Sequence, residues 1–164
     1  MFSIRFDKSS ILEWAARYPT DYDVEVETII APQECARGYF LKSEFLKLCR
    51  WKTPRSKPRV ASNPEDFIQE VTRTALSTPS ERLRIEVLTL LSGVSWPTAS
   101  VILHFGHTDP YPILDFRALF SLGIDSEQTE YDFDFWWAYT QFCRQLAKEV
   151  GVSMRIYVPS HSSR

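Results

Sequence analysis

Apolar positions recur with a helical period along most of this chain, and capping residues mark where successive helices begin. Ser10 and Glu13 read as the capping box of a short helix running through Tyr18, with Ile11, Leu12, Trp14 and Ala15 on its apolar side and Pro19 ending it. Residues 23–30, DVEVETII, alternate acid with valine and then turn apolar, the pattern of one short strand or of an extended arm. Beyond Gly38 a helix is expected from about Leu41 to Trp51, with Phe45, Leu48 and Cys49 on one face. It leads into TPRSKPR, whose two prolines predict an extended loop. Asn63, Pro64, Glu65 and Asp66 form an N-cap, a proline at the first helical position and acids in the first turn, opening a helix to about Leu76. Thr78, Pro79, Ser80 and Glu81 repeat the device, and Leu83, Val87, Leu88, Leu90 and Leu91 carry that helix forward. A last helix from about Tyr131 to Val150 lines up Phe135, Trp136, Tyr139, Phe142, Leu146 and Val150, a stripe that reads as core. Residues 151–164 read as a tail, with MRIYVP as an extended segment and SHSSR as disordered.

Short helices with at most one strand predict an all-α orthogonal bundle. At 164 residues, with 44% hydrophobic and 14% aromatic content, the chain is expected to form a single domain with a substantial core. It has no apolar run long enough for a membrane span, and MFSIRFDKSS lacks the features of a secretory signal, so a soluble, cytoplasmic protein without a membrane partner is expected. Three dispersed cysteines, Cys35, Cys49 and Cys143, indicate neither a disulfide framework nor a zinc pair.

Residues 88–123, LTLLSGVSWPTASVILHFGHTDPYPILDFRALFSLG, concentrate the chemistry. They read as the end of one helix, a tight turn at Ser92, Gly93, Val94 and Ser95, a second helix from about Pro97 to Phe105, a loop, and a third helix opening at Asp115. Two helices joined by so short a turn form a helix-hairpin-helix, spanning about residues 79–106. Gly93 supplies the backbone freedom, and the amides that open the second helix suit a phosphate oxygen. Such a hairpin grips a nucleic-acid backbone without reading its sequence.

In its order of residues the stretch resembles the helix-hairpin-helix/Gly-Pro-Asp superfamily of DNA glycosylases. The family pattern is a leucine, a Pro-Gly-Val-Gly turn, a Thr-Ala pair, an aliphatic pair, then after a loop a proline, aliphatic residues and an aspartate. Those places hold Leu91, Ser92 to Ser95, Thr98 and Ala99, Ile102 and Leu103, Pro112 to Leu114, and Asp115. The 22 residues from Gly93 to Asp115 agree with the adenine-glycosylase branch. The resemblance covers about 35 residues, weakens over the flanking helices and is absent from the first 40. It implies a helical bundle with a cleft between two halves, the hairpin on one lip and Asp115 at the floor. The family domain usually has more residues ahead of the hairpin, so the resemblance implies a minimal version. It also implies DNA as partner and Asp115 as the carboxylate that activates water or stabilises the oxocarbenium-like sugar as a base leaves.

Two departures bear on the chemistry. Ser95 stands where the hairpin has its second glycine, and Pro97 stands where bifunctional members carry a Schiff-base lysine. A proline forms no imine and removes one backbone donor, so a monofunctional enzyme without lyase activity is expected. In relatives the hairpin can hold a monovalent cation on backbone carbonyls. The iron-sulfur cluster of some relatives needs four closely spaced cysteines, which this chain lacks.

A net charge of −2 argues mildly against a protein that coats nucleic acid, but the charges are clustered. Asp21, Asp23, Glu25 and Glu27 form one acidic segment, and Asp125, Glu127, Glu130, Asp132 and Asp134 another. Between them Lys47, Arg50, Lys52, Arg55, Lys57 and Arg59 fall within 13 residues free of acid, which reads as a phosphate-contacting face or as a solvated loop. The DNA-contacting candidates are therefore these six residues together with Gly93, Val94, Ser95, Trp96, Thr98 and Arg117.

For several of these candidates the residues allow two readings. Asp115 is a catalytic carboxylate or simply a helix cap. Arg117 reaches a phosphate or pairs with Asp115 and silences it. Trp96 stacks on a nucleotide or packs under the turn, and Trp51 and Lys52 line the cleft or belong to the core. His104 and His107 lack a third ligand nearby, so no metal is expected. Three functions follow: a monofunctional DNA N-glycosylase acting on a modified or mismatched base, a non-catalytic DNA-binding module of the same fold, or a protein-interaction domain using the acidic, aromatic C-terminal region.

Overall fold

Asp7, not Ser10, starts the first helix: its carboxylate accepts from the Ser9 amide at 3.1 Å, and α1 (Ser9–Arg17) follows with Ser10 inside it. The computed structural model describes residues 2–17 and 36–154, and their regular structure is all-α. Tyr18, the 23–30 segment and the tail beyond residue 154 lie outside the described residues.

Helix α2 (Lys42–Lys52) buries Phe45, Leu48 and Cys49 as their spacing requires, and also Glu44. The Glu44 carboxylate accepts from the Leu41 amide at 2.9 Å and pairs with Arg37, so its charge is compensated. The extended loop expected from TPRSKPR is replaced by a 3-10 turn, Pro54–Ser56, and a short helix, α3 (Lys57–Ala61). Each proline sits in the first turn of its element, where an N–H has no intrahelical partner to lose and the fixed φ is already helical. Val60 of α3 is thereby buried.

Helix α4 (Glu65–Ser77) buries Ile68, Val71, Thr72 and Ala75. Helix α5 (Glu81–Leu88) starts at Ser80, whose hydroxyl accepts from the Leu83 amide at 3.2 Å. Its inner face holds Ile85 and Leu88, whereas Leu83 and Leu90 are exposed. Arg84 takes an inner position instead, donating to the carbonyls of Ala75 at 2.9 Å and of Thr78, and to Glu81 at 3.2 Å. It thus satisfies carbonyls at the end of α4 that the helix itself cannot pair. Helix α6 (Trp96–Gly106) is buried along most of its length, α7 (Phe116–Ser121) is short, and α8 (Phe133–Val150) runs from an Asp132 cap to Gly151 at φ +74°.

Two apolar clusters result. The larger joins α2 to α6 and takes Trp136 from α8. The smaller gathers Leu114, Leu119, Leu122 and Tyr139, with Phe2, Ile4 and Phe142 packed against it. Trp96 touches both. The N-terminal segment is tied down by the Ser3 amide on the Leu122 carbonyl at 3.1 Å and the Arg5 amide on the Ser121 carbonyl at 3.0 Å. Among the described residues no helix is long and apolar enough to cross a membrane.

Candidate functional site

Between Leu88 and Trp96 the chain passes through a turn that needs glycine twice over. Gly93 has φ +79°, and a Cβ there would stand 2.9 Å from both Arg59 Cβ and Val60 Cγ1. The turn is therefore pressed against α3. Asn63 pins it there, accepting from the Ser92 amide at 2.8 Å and donating to the Ser92 carbonyl and the Val60 carbonyl at 2.9 Å each. The N-cap role expected of Asn63 falls to Pro64, because the Asn63 side chain faces back to the turn and is only 4% exposed. The Asn63 side chain caps no helix; it bonds the backbone of Ser92, 29 residues away.

The contact brings the end of the basic segment, Arg59 on α3, to the turn. Lys47, Arg50, Arg55, Lys57 and Arg59 are exposed, and Arg59 and Lys57 sit on the helix that touches Gly93. Ser95 is exposed, and Gly93 and Trp96 are half-buried. Thr98 and Val94 do not fit the role of ligand-contacting side chains: they are 1% and 7% exposed and belong to the interior. Trp96 packs between the two clusters, so of its two readings the structure gives the packed one. With Pro97 in the first turn of α6, the amides of Trp96 and Thr98 are the donors left there.

Residues 107–115 form the loop that carries Asp115, and α6 and α8 hold its backbone. Ser100 Oγ accepts from the Leu114 amide at 2.8 Å, Tyr139 donates to the Ile113 carbonyl at 2.9 Å, and Arg144 donates to the Pro110 carbonyl at 2.8 Å. His104 Nδ1 donates to the Tyr111 carbonyl at 2.7 Å, and His107 Nδ1 accepts from the Asp109 amide at 2.9 Å. Both histidines are thus loop clamps, and no group of three His, Cys, Asp or Glu able to hold a metal occurs among the described residues. Tyr111 itself is buried, donating to Glu81 at 2.7 Å and stacked on Trp136 at 5.8 Å.

Asp115 caps α7, its Oδ1 accepting from the Arg117 amide at 2.9 Å. Its Oδ2 accepts from Lys52 Nζ at 2.9 Å. The cation that meets this carboxylate is therefore Lys52, the last residue of α2, while the Arg117 guanidinium lies over the Phe116 ring. Lys52 differs from its five basic neighbours in being turned inward, with only 13% of its side chain exposed. Burial alone would raise the Asp115 pKa, but the hydrogen bonds from Lys52 and the Arg117 amide and the charges of both residues outweigh it, and the net shift is downward. Tyr131 and Tyr139 stand within reach of this charge: burial first, and the Asp115 carboxylate second or later, push both phenols up. Asp115 is thus an ionised carboxylate at neutral pH, beside one ammonium and two neutral phenols. In the sequence nothing joins Asp115 to Lys52, because no periodic signal links residues so far apart, and Tyr131 carries only the signal of a helix start.

Cys49 and Cys143 are thiols pushed up to about 12 by burial, which makes them poor nucleophiles. Compared with known proteins, the chain matches no family model, no curated protein and no solved structure.

Proposed function

We propose that this protein grips the sugar-phosphate backbone of duplex DNA with the α5–α6 connection acting as a helix-hairpin-helix, and that Asp115 serves base excision without strand cleavage, in the manner of the helix-hairpin-helix/Gly-Pro-Asp glycosylases. The observation that carries the reading is the contact of Gly93 with Arg59 and Val60 under the clamp of Asn63. It makes one surface of a backbone turn and a cationic helix, and both elements favour a phosphate oxygen.

In the excision step the bond from C1′ to the base breaks, the oxygen of water bonds to C1′, and the base leaves with a proton. A carboxylate with a lowered pKa is a weak proton acceptor, so the role it supports is electrostatic stabilisation of the cationic sugar rather than proton abstraction. The Lys52 ammonium opposes that role while it remains 2.9 Å from Asp115. This ion pair favours the second reading, a DNA-binding module of the same type that has lost the chemistry.

The two readings part in one experiment. Fluorescence anisotropy is measured with an undamaged duplex and with the same duplex carrying an abasic analogue, at low and moderate salt, followed by a screen for base release from damaged duplexes. Preference for the abasic analogue together with base release that Asp115→Asn abolishes, while binding survives, supports the glycosylase. Equal, salt-sensitive binding with no released base supports the module. Absence of binding to either duplex overturns both and leaves a protein partner as the remaining reading.

A further inference from the structure

Helix α7 turns Leu119 inward and leaves Phe116 and Phe120, one turn apart, 59% and 63% exposed. Each ring carries a guanidinium: Arg117 Cζ lies 5.4 Å from the Phe116 centroid, and Arg5 Cζ 4.7 Å from that of Phe120. The Arg5 backbone is held by the hydrogen bond that its amide donates to the Ser121 carbonyl, and the segment lies close because Gly123, at φ +77°, has no Cβ to meet Ser3 Oγ at 3.0 Å. The fold thus maintains two aromatic rings and two cations as one patch, beginning at the residue next to Asp115.

A lone exposed phenylalanine calls for no explanation, but two adjacent ones, each paired with a cation, select for a particular kind of ligand. A purely apolar partner would have to bury both guanidiniums without counter-charge, at a heavy desolvation cost. A ligand with flat π faces joined by phosphates matches rings and cations together.

We propose that α7 and Arg5 form a stacking platform for unpaired nucleotides, with Phe116 and Phe120 each taking a base and Arg117 and Arg5 drawing the flanking phosphates. The proposal rests on the DNA-binding reading above and deepens it, because it makes DNA with unpaired nucleotides the preferred ligand over uniformly paired duplex.

The test is anisotropy with a fully paired duplex and the same duplex carrying a short unpaired bulge. It compares the wild type, the double variant Phe116→Ala/Phe120→Ala and the ring-preserving double variant Phe116→Tyr/Phe120→Tyr, all checked for native circular dichroism. The wild type is expected to prefer the bulged duplex by about tenfold or more. The alanine variant loses that preference with paired-duplex affinity held within about twofold, and the tyrosine variant keeps it. A wild type that binds both duplexes equally overturns the platform alone, as does an alanine variant that retains the preference or weakens both duplexes alike. A wild type that binds neither overturns the platform and the DNA-binding reading together. A dimer in sedimentation velocity that dissociates in the alanine variant would assign the patch to a second copy of the chain instead.

Discussion

At the residue scale the decisive pair is Lys52 and Asp115, because the Lys52 ammonium helps hold the Asp115 carboxyl below its ordinary pKa. Replacing Lys52 by Met removes the ammonium and its hydrogen bond while leaving burial in place, so the Asp115 pKa is expected to rise from its lowered value; carboxylate NMR on 13C-labelled protein measures the shift. The folded pKa of Asp115 is depressed, so its contribution to stability is present above the unfolded value near 4 and is lost as pH falls through the folded value. With 35% of the Asp115 side chain exposed, the contribution is about 1 kcal/mol or less. Acid unfolding of Asp115→Asn should therefore show a slightly shallower pH dependence below pH about 4 than the wild type. Gly93 is the other residue on which much rests. Gly93→Ala meets both a left-handed φ and a contact at 2.9 Å with α3, and about 2–4 kcal/mol of destabilisation is expected in urea unfolding.

At the element scale the question is what holds the α5–α6 turn against α3, and the answer is one amide side chain. Asn63→Ala removes two donated bonds and one accepted bond, for about 2–3 kcal/mol. Because the lost bonds converge on one turn, hydrogen exchange should accelerate at Ser92, Gly93 and Val94 before it does in the core of α4; uniform acceleration would mean that the turn and the core open together. This arrangement also shows what the sequence could reveal. Helix starts set by local chemistry were legible to within a residue or two: the signal at 78–81 announced α5, although Ser80 rather than Thr78 is its cap, and α8, expected from about Tyr131, is capped by Asp132. TPRSKPR was misread because proline marks both loops and first helical turns, and only the burial of Val60 distinguishes them. Arg84 was invisible for the same reason as the Lys52 pair: its position on the inner face depends on carbonyls of the preceding helix rather than on any apolar period.

At the scale of the whole molecule, Lys52 and Asp115 come from opposite sides of a divide. Lys52 ends a helix of the larger cluster, whereas Asp115 caps α7, whose Leu119 belongs to the smaller. Apart from Trp96, which packs on both, the ion pair is a polar link across that boundary. The smaller cluster is closed by the N-terminal segment, where the Phe2 ring lies 5.5–6.0 Å from Phe135, Tyr139 and Phe142. Phe2→Ala removes a half-buried ring from that cluster and should cost about 2 kcal/mol, less than a fully buried phenylalanine. The loss falls on α7 and on α8 as far as Phe142, not on α4 or α5, so exchange should quicken there selectively. If the position of Asp115 depends on this packing, its carboxyl pKa in Phe2→Ala should move up in the same direction as in Lys52→Met, although Phe2 touches neither residue's charge. An unchanged Asp115 pKa in a destabilised Phe2→Ala would instead mean that the backbone clamps on the 107–115 loop, from Ser100, Tyr139 and Arg144, hold the carboxylate in place without help from the N-terminal segment.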